Sequence, residues 1–96
     1  MAHSESTNAV SLSERLTLQE AVTELDRLRR AVKQQSGPTV ALNASALKVF
    51  DSSAVAVLLE LRRSLLVQGK TLTVVEWPEH LRDLVGLYGV KELLPG

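Results

Sequence analysis

Ninety-six residues suit one compact domain, and at 45% hydrophobic the chain holds enough apolar material for a core. Eleven basic and eleven acidic residues cancel, so the charge signature of a nucleic-acid binder or of a protein held on an anionic membrane is missing. The lack of cysteine excludes disulfides, thiolate chemistry and most zinc sites. One Trp, one Tyr and one Phe give no aromatic platform for stacking bases or sugars.

Residues 1–8, Met-Ala-His-Ser-Glu-Ser-Thr-Asn, are small and polar without periodicity and are expected to be a disordered tail, with residues 9–96 forming the folded domain. They carry no apolar h-region, so no signal peptide is expected. The longest unbroken apolar run, Ala54–Leu59, is far short of the ~20 residues of a membrane span. A soluble, cytoplasmic protein is the expectation.

From Ala9 to Leu16 apolar and polar residues alternate, with Val10, Leu12 and Leu16 against Ser11, Ser13 and Glu14, which predicts a short strand. Thr17 followed by Glu20 fits a capping box, in which each side chain meets an orphan backbone N–H of the other residue. Leu18, Ala21, Val22, Leu25, Leu28 and Val32 then recur at helical spacing, which predicts an amphipathic helix over 17–35. Glu20, Glu24 and Asp26 in its early turns and Arg29, Arg30 and Lys33 in its late ones complement the helix dipole. Ser36-Gly37-Pro38 stops it.

Thr39–Asn43 reads as a short buried strand, and Ala44–Phe50 as a loop whose Leu47, Val49 and Phe50 return to the core. Three cap-forming residues, Asp51-Ser52-Ser53, precede a second helix over 52–68. Its apolar arc of Val55, Leu58, Leu59, Leu65 and Leu66, widened by Ala54, Val57 and Leu61, calls for deep burial. Gln68-Gly69-Lys70 ends it, and Thr71–Trp77 alternates like a strand. Pro78 suits the first turn of a third helix over 78–88, with Leu81, Leu84, Val85 and Tyr88 as its stripe and Gly89 just past its end. Val90–Gly96 forms a final short turn or strand. Strands alternating with helices predict an α/β fold, a mostly parallel sheet with helices packed on it, and a core containing Val40, Leu42, Leu58, Leu72 and Val74.

Enzyme constellations are scarce. His3 lies in the polar tail and His80 in the first turn of the third helix, and neither has a nucleophile or a second His near it in sequence. The five glycines are scattered, so neither a phosphate-binding loop nor a dinucleotide fingerprint is present. The charged residues pair at helical spacing, as Glu60 with Arg63 and Glu79 with Arg82, and read as solvated faces. No catalytic residue, metal or cofactor is expected.

Asp51-Ser52-Ser53 differs in kind. Beyond capping, a loop that brings a carboxylate and two hydroxyls to a helix N-terminus suits either a phosphorylated serine or a tight polar contact with a partner. Asn43–Leu59, NASALKVFDSSAVAVLL, resembles the signature of STAS domains (sulfate transporter and anti-sigma factor antagonist). The strand TLTVVEW and the run LRDLVGLYGVKELLPG extend the likeness over roughly Val10 to Pro95. That ending is especially similar to the small cytoplasmic subunits of the bacterial ABC system that moves phospholipids between inner and outer membranes.

The resemblance implies a STAS-like α/β domain without catalysis or cofactor, peripheral to the inner membrane. Its implied partner is an ABC transporter ATPase subunit (MlaF-like) and, through it, the permease complex, with no nucleic acid and no direct membrane insertion. Asp51 matches the family's loop aspartate. Ser52 matches the hydroxyl residue, Thr in the best-known subunits of that system, which contacts the ATPase. Ser53 falls where antagonists carry Ser or Thr and the transporter subunits often carry Gly. Ala54 replaces the usual Gly, adding a Cβ where a partner backbone approaches. Partner contact is therefore expected at Asp51, Ser52, Ser53 and Ala54, with Arg62, Arg63 and Arg82 as a charged rim. The alternative implied by the same likeness is an anti-sigma factor antagonist switched by phosphorylation at Ser52 or Ser53.

Overall fold

A computed structural model describes residues 9–94; the expected tail over residues 1–8 lies outside them. The element order is β1 (Ala9–Ser11), β2 (Arg15–Leu16), α1 (Ala21–Lys33), β3 (Thr39–Asn43), β4 (Val49–Phe50), α2 (Ser52–Val67), β5 (Thr71–Val75) and α3 (Glu79–Leu87), closed by a 3-10 turn at Lys91–Leu93. β1, β3 and β5 form a parallel sheet in that order, with Val10 opposite Leu42 and Val40 and Leu42 opposite Leu72 and Val74. These five side chains are buried together, as the period of two along each strand requires. Because the strand order advances in one direction, crossovers of a single hand place α1 and α2 on the same face, where they pack on each other. The chain is an α/β domain.

α2 is the central element. Ala54, Val55, Val57, Leu58, Leu61 and Leu65 are all buried against the sheet and the flanking helices. Both α2 and α3 end on a glycine with positive φ, Gly69 at 76° and Gly89 at 70°. In each, the glycine N–H and the next residue's N–H turn back to carbonyls of the last turn. Gly89 donates to Gly86 at 3.1 Å and Val90 to Val85 at 3.2 Å, the pair of hydrogen bonds that a left-handed residue makes possible. The final turn then folds Leu94 into the core.

Four expectations are corrected. The strand over Ala9–Leu16 is two strands: Leu12–Glu14 break it, and β2 leaves the main sheet to pair with β4 in a separate parallel ladder. β4 itself lies in the segment expected to be loop, where Lys48 and Val49 donate to the Glu14 carbonyl at 2.8 and 3.1 Å. Two-residue strands carry no alternation of their own, so their partner decides them. α1 starts at Ala21, not Thr17. The Glu20 carboxylate does reach back to the Thr17 N–H at 2.9 Å, but the Thr17 hydroxyl donates to that carboxylate instead of accepting from Glu20, and Leu18–Glu20 remain a turn. Finally, Leu47 enters the core and the half-buried Phe50 packs against it as expected, whereas Val49 is exposed.

Candidate functional site

Asp51 is extended, with φ −133° and ψ −164°, and is the N-cap of α2. Its Oδ1 accepts from the Ser53 N–H at 2.8 Å, the bond that an Asx cap supplies to an orphan donor of the first turn. Its Oδ2 accepts from the N–H of Leu18, 33 residues earlier, at 3.1 Å. The bond from the Ser53 N–H is the largest influence and, with that from Leu18, holds the carboxyl below the usual aspartate value despite an opposing effect of desolvation. Asp51 is thus an anion already engaged on both oxygens.

Ser52, the first residue of α2, is exposed, while Ser53 is half-buried on the side toward α1. Ala54 is wholly buried. It shares the inward arc with Leu58, Leu61 and Leu65, so the sequence-based placing of Ala54 on the partner surface is corrected: its Cβ packs in the core and obstructs no approaching backbone.

At the roughly 100° per residue of an α-helix, Ser52, Ala56, Leu59 and Arg63 share the outward face of α2. On one side of this face, Leu18, Ala21, Val22 and Leu25 join Ser53, Ala56, Val57 and Glu60 to line a shallow groove of ≈ 220 Å³. On the other, Tyr88 joins Ser52, Val55, Ala56 and Leu59 around a second hollow. Leu18 and Val22 are 76% and 75% exposed and Tyr88 52%. An apolar band therefore runs from the turn before α1, over the start of α2, to the end of α3, with Ser52 on its middle stretch.

The expected arginine rim is only partly near this band. Arg63 stands on the Ser52 face, about 16 Å further along the helix. Its guanidinium is bound to the Glu60 carboxylate at 2.9 Å, which raises the Arg63 pKa and lowers that of Glu60. Arg29 of α1 reaches the same carboxylate at 3.5 Å and Ser64 at 3.2 Å, bracing α1 against α2. Arg62 is half-buried and Arg82 exposed on α3, and neither joins an ion pair among the described residues. The same holds for the expected Glu79–Arg82 pair. His80 lines a separate cleft with Leu47, Phe50, Glu79 and Asp83, and among the described residues no group of three or more His, Cys, Asp or Glu side chains is placed to hold a metal.

Leu18 and Val22 belong to the apolar spacing read for the first helix, yet both are exposed. Val22 lies roughly 100° around the helix from the buried Leu28 and Val32, which marks it as a flank. Leu18 precedes the helix, so its spacing carried no such signal. Glu24 is the reverse case: it falls within the inward arc, four residues before Leu28, and is only 5% exposed.

A three-stranded parallel sheet covered by α1 and α2, with an Asp-Ser-Ser loop capping the central helix, defines a STAS-type α/β domain. The family described as "Mlab, STAS domain" matches residues 1–95, and the chain belongs to it. No curated protein matches the chain. Among the described residues, no helix is long and apolar enough to cross a membrane.

Proposed function

We propose that the chain is a non-catalytic STAS subunit of an ABC phospholipid transport complex that maintains outer-membrane lipid asymmetry. It binds the cytoplasmic, MlaF-like ATPase subunit, supports that subunit's assembly and activity, and reaches the inner membrane and the permease only through it. The observation that carries the reading is the apolar band beside the free edge of α2. Leu18, Val22 and Tyr88 are large side chains left in water on three separate elements around one small, polar centre at Ser52. Exposed apolar residues gathered in this way mark a protein-binding surface. A centre of serine and alanine lets a partner backbone approach closely, and Ser52 supplies a hydroxyl to orient it.

The family also contains the antagonist reading, in which the same Ser52 is phosphorylated. A band that extends onto α1 and α3 favours lasting apolar contact over a brief encounter with a kinase. Capture from native cytoplasmic and membrane fractions, with the bound proteins identified, separates the two. An ABC ATPase and its permease are expected, and the ATPase rate of the purified subunit should rise when the chain is added. Recovery of a serine kinase and a sigma-factor regulator instead would replace this reading with the antagonist one.

A further inference from the structure

The two halves of the docking band come from distant parts of the chain. One is the turn carrying Leu18 and leading to Val22, and the other is the start of α2 around Ser52. Leu18 is three-quarters exposed, so its side chain contributes little packing to hold its turn in place. Thr17 and Glu20 close that turn on itself at 2.6 and 2.9 Å, which shapes it without fixing it to α2. The β2–β4 ladder brings the chain together as far as Leu16 and Phe50, and the Asp51 carboxylate carries the connection on to the turn itself, with Oδ1 on Ser53 N–H and Oδ2 on Leu18 N–H. Capping α2 needs only one oxygen, which Asn or Ser supplies equally well. The second oxygen is surplus to the cap and is spent on the turn before α1.

We propose that Asp51 is a positioning residue for docking: it holds the Leu18 turn in register with Ser52, so that a partner meets both halves of the band in one arrangement. The proposal rests on the docking reading above. Asp51 is exposed, but both its oxygens are already engaged by backbone N–H groups, so its part is to shape the surface rather than to be the group the partner contacts. It acts through Leu18 by removing, before binding, the freedom of a turn that otherwise has to be ordered at the moment of contact.

Asp51→Asn separates the two bonds. The amide oxygen keeps the cap, and the NH2 group now faces the Leu18 N–H, donor against donor. Asp51→Ser keeps the cap and is too short to reach Leu18. In the uncomplexed full chain, the Leu18 amide proton resonance of both variants should move to its non-bonded position while that of Ser53 stays hydrogen-bonded. Affinity for the purified ATPase subunit should fall about 5- to 30-fold, the loss of one charge-assisted bond's ordering, with the melting temperature lowered by only about a few degrees, so that the chain stays folded. In a Leu18→Ala background, Asp51→Asn should have little further effect, because the side chain it positions is gone. Wild-type affinity for Asp51→Asn, or losses for Asp51→Asn and Leu18→Ala that simply add, would overturn the proposal. Ala56→Arg, on the outward face between the two hollows, keeps the two ideas apart. If it blocks binding while Asp51→Asn does not, only the positioning role fails; if it binds as wild type, the docking surface itself is wrong.

Discussion

Glu24 grips Ser13 twice, accepting from its N–H at 2.9 Å and from its hydroxyl at 3.1 Å. Arg27 completes the arrangement, donating to both Glu24 oxygens at 3.0 and 2.8 Å and to the Ser11 carbonyl at 2.8 Å. This buried carboxylate clamps α1 to the segment between β1 and β2, where the first strand is interrupted. Burial on its own raises the Glu24 pKa. The bonds from Arg27 and from Ser13 outweigh it and leave the carboxyl below the ordinary value of 4.5.

A carboxyl lowered in the fold stabilises it above its unfolded pKa, and that stabilisation is lost as pH falls through the folded pKa. Stability should therefore be level near neutrality and decline as pH drops below about 4.5, with Asp51, Glu20 and Glu60 acting in the same direction. Glu24→Gln should cost about 1–3 kcal/mol at pH 7, limited by the half-exposed Arg27, which can rehydrate. The deficit should shrink toward pH 3. Urea unfolding of both proteins at the two pH values measures it, and a deficit independent of pH would show that the charge of Glu24 is not what holds Ser13.

Leu58 is wholly buried at the centre of α2. Leu58→Ala should cost about 2–5 kcal/mol through lost contact and a residual cavity. Against the about 5–15 kcal/mol net stability of a domain, that threatens folding. A loss under 1 kcal/mol by urea unfolding would mean the core is looser there than its packing indicates.

Ser52 tests docking directly. Ser52→Ala should weaken ATPase binding by about 1–2 kcal/mol, the scale of one interfacial hydrogen bond. Ser52→Asp should weaken it more, since the new carboxylate beside Asp51 meets no nearby cation among the described residues. A carboxylate in the first turn favours the helix dipole, so Ser52→Asp should melt at or above the wild-type temperature. Arg30→Ala, on the exposed side of α1, is the control. Wild-type affinity in both Ser52 variants, measured by calorimetry, would remove Ser52 from the mechanism.

Val22 distinguishes a docking residue from a core residue. Val22→Lys replaces an exposed side chain with a better helix former and should change stability by no more than about 0.5 kcal/mol. ATPase binding should nonetheless fall, because a charge then has to be desolvated within the band. A large drop in melting temperature would return Val22 to the core.

Periodicity and composition determined the α/β class, the parallel order of the main strands, the three helices and the buried set of Val40, Leu42, Leu58, Leu72 and Val74. Those features follow from local patterns, an alternation of two or a turn of 3.6, that a chain must bury wherever it folds. Asp-Ser-Ser likewise announced a cap, since capping involves only neighbouring residues. Tertiary structure decided the rest. Leu18 and Val22 are exposed because, among the described residues, no element covers that flank of α1. Ala54 is buried because the inward arc of α2 passes through it, and β2 and β4 exist only as each other's partners. The second oxygen of Asp51 found Leu18, and Glu24 found Ser13, across stretches of chain that no local pattern spans. A hydrogen bond between distant segments depends on where the whole fold brings them, and sequence spacing carries no record of that meeting.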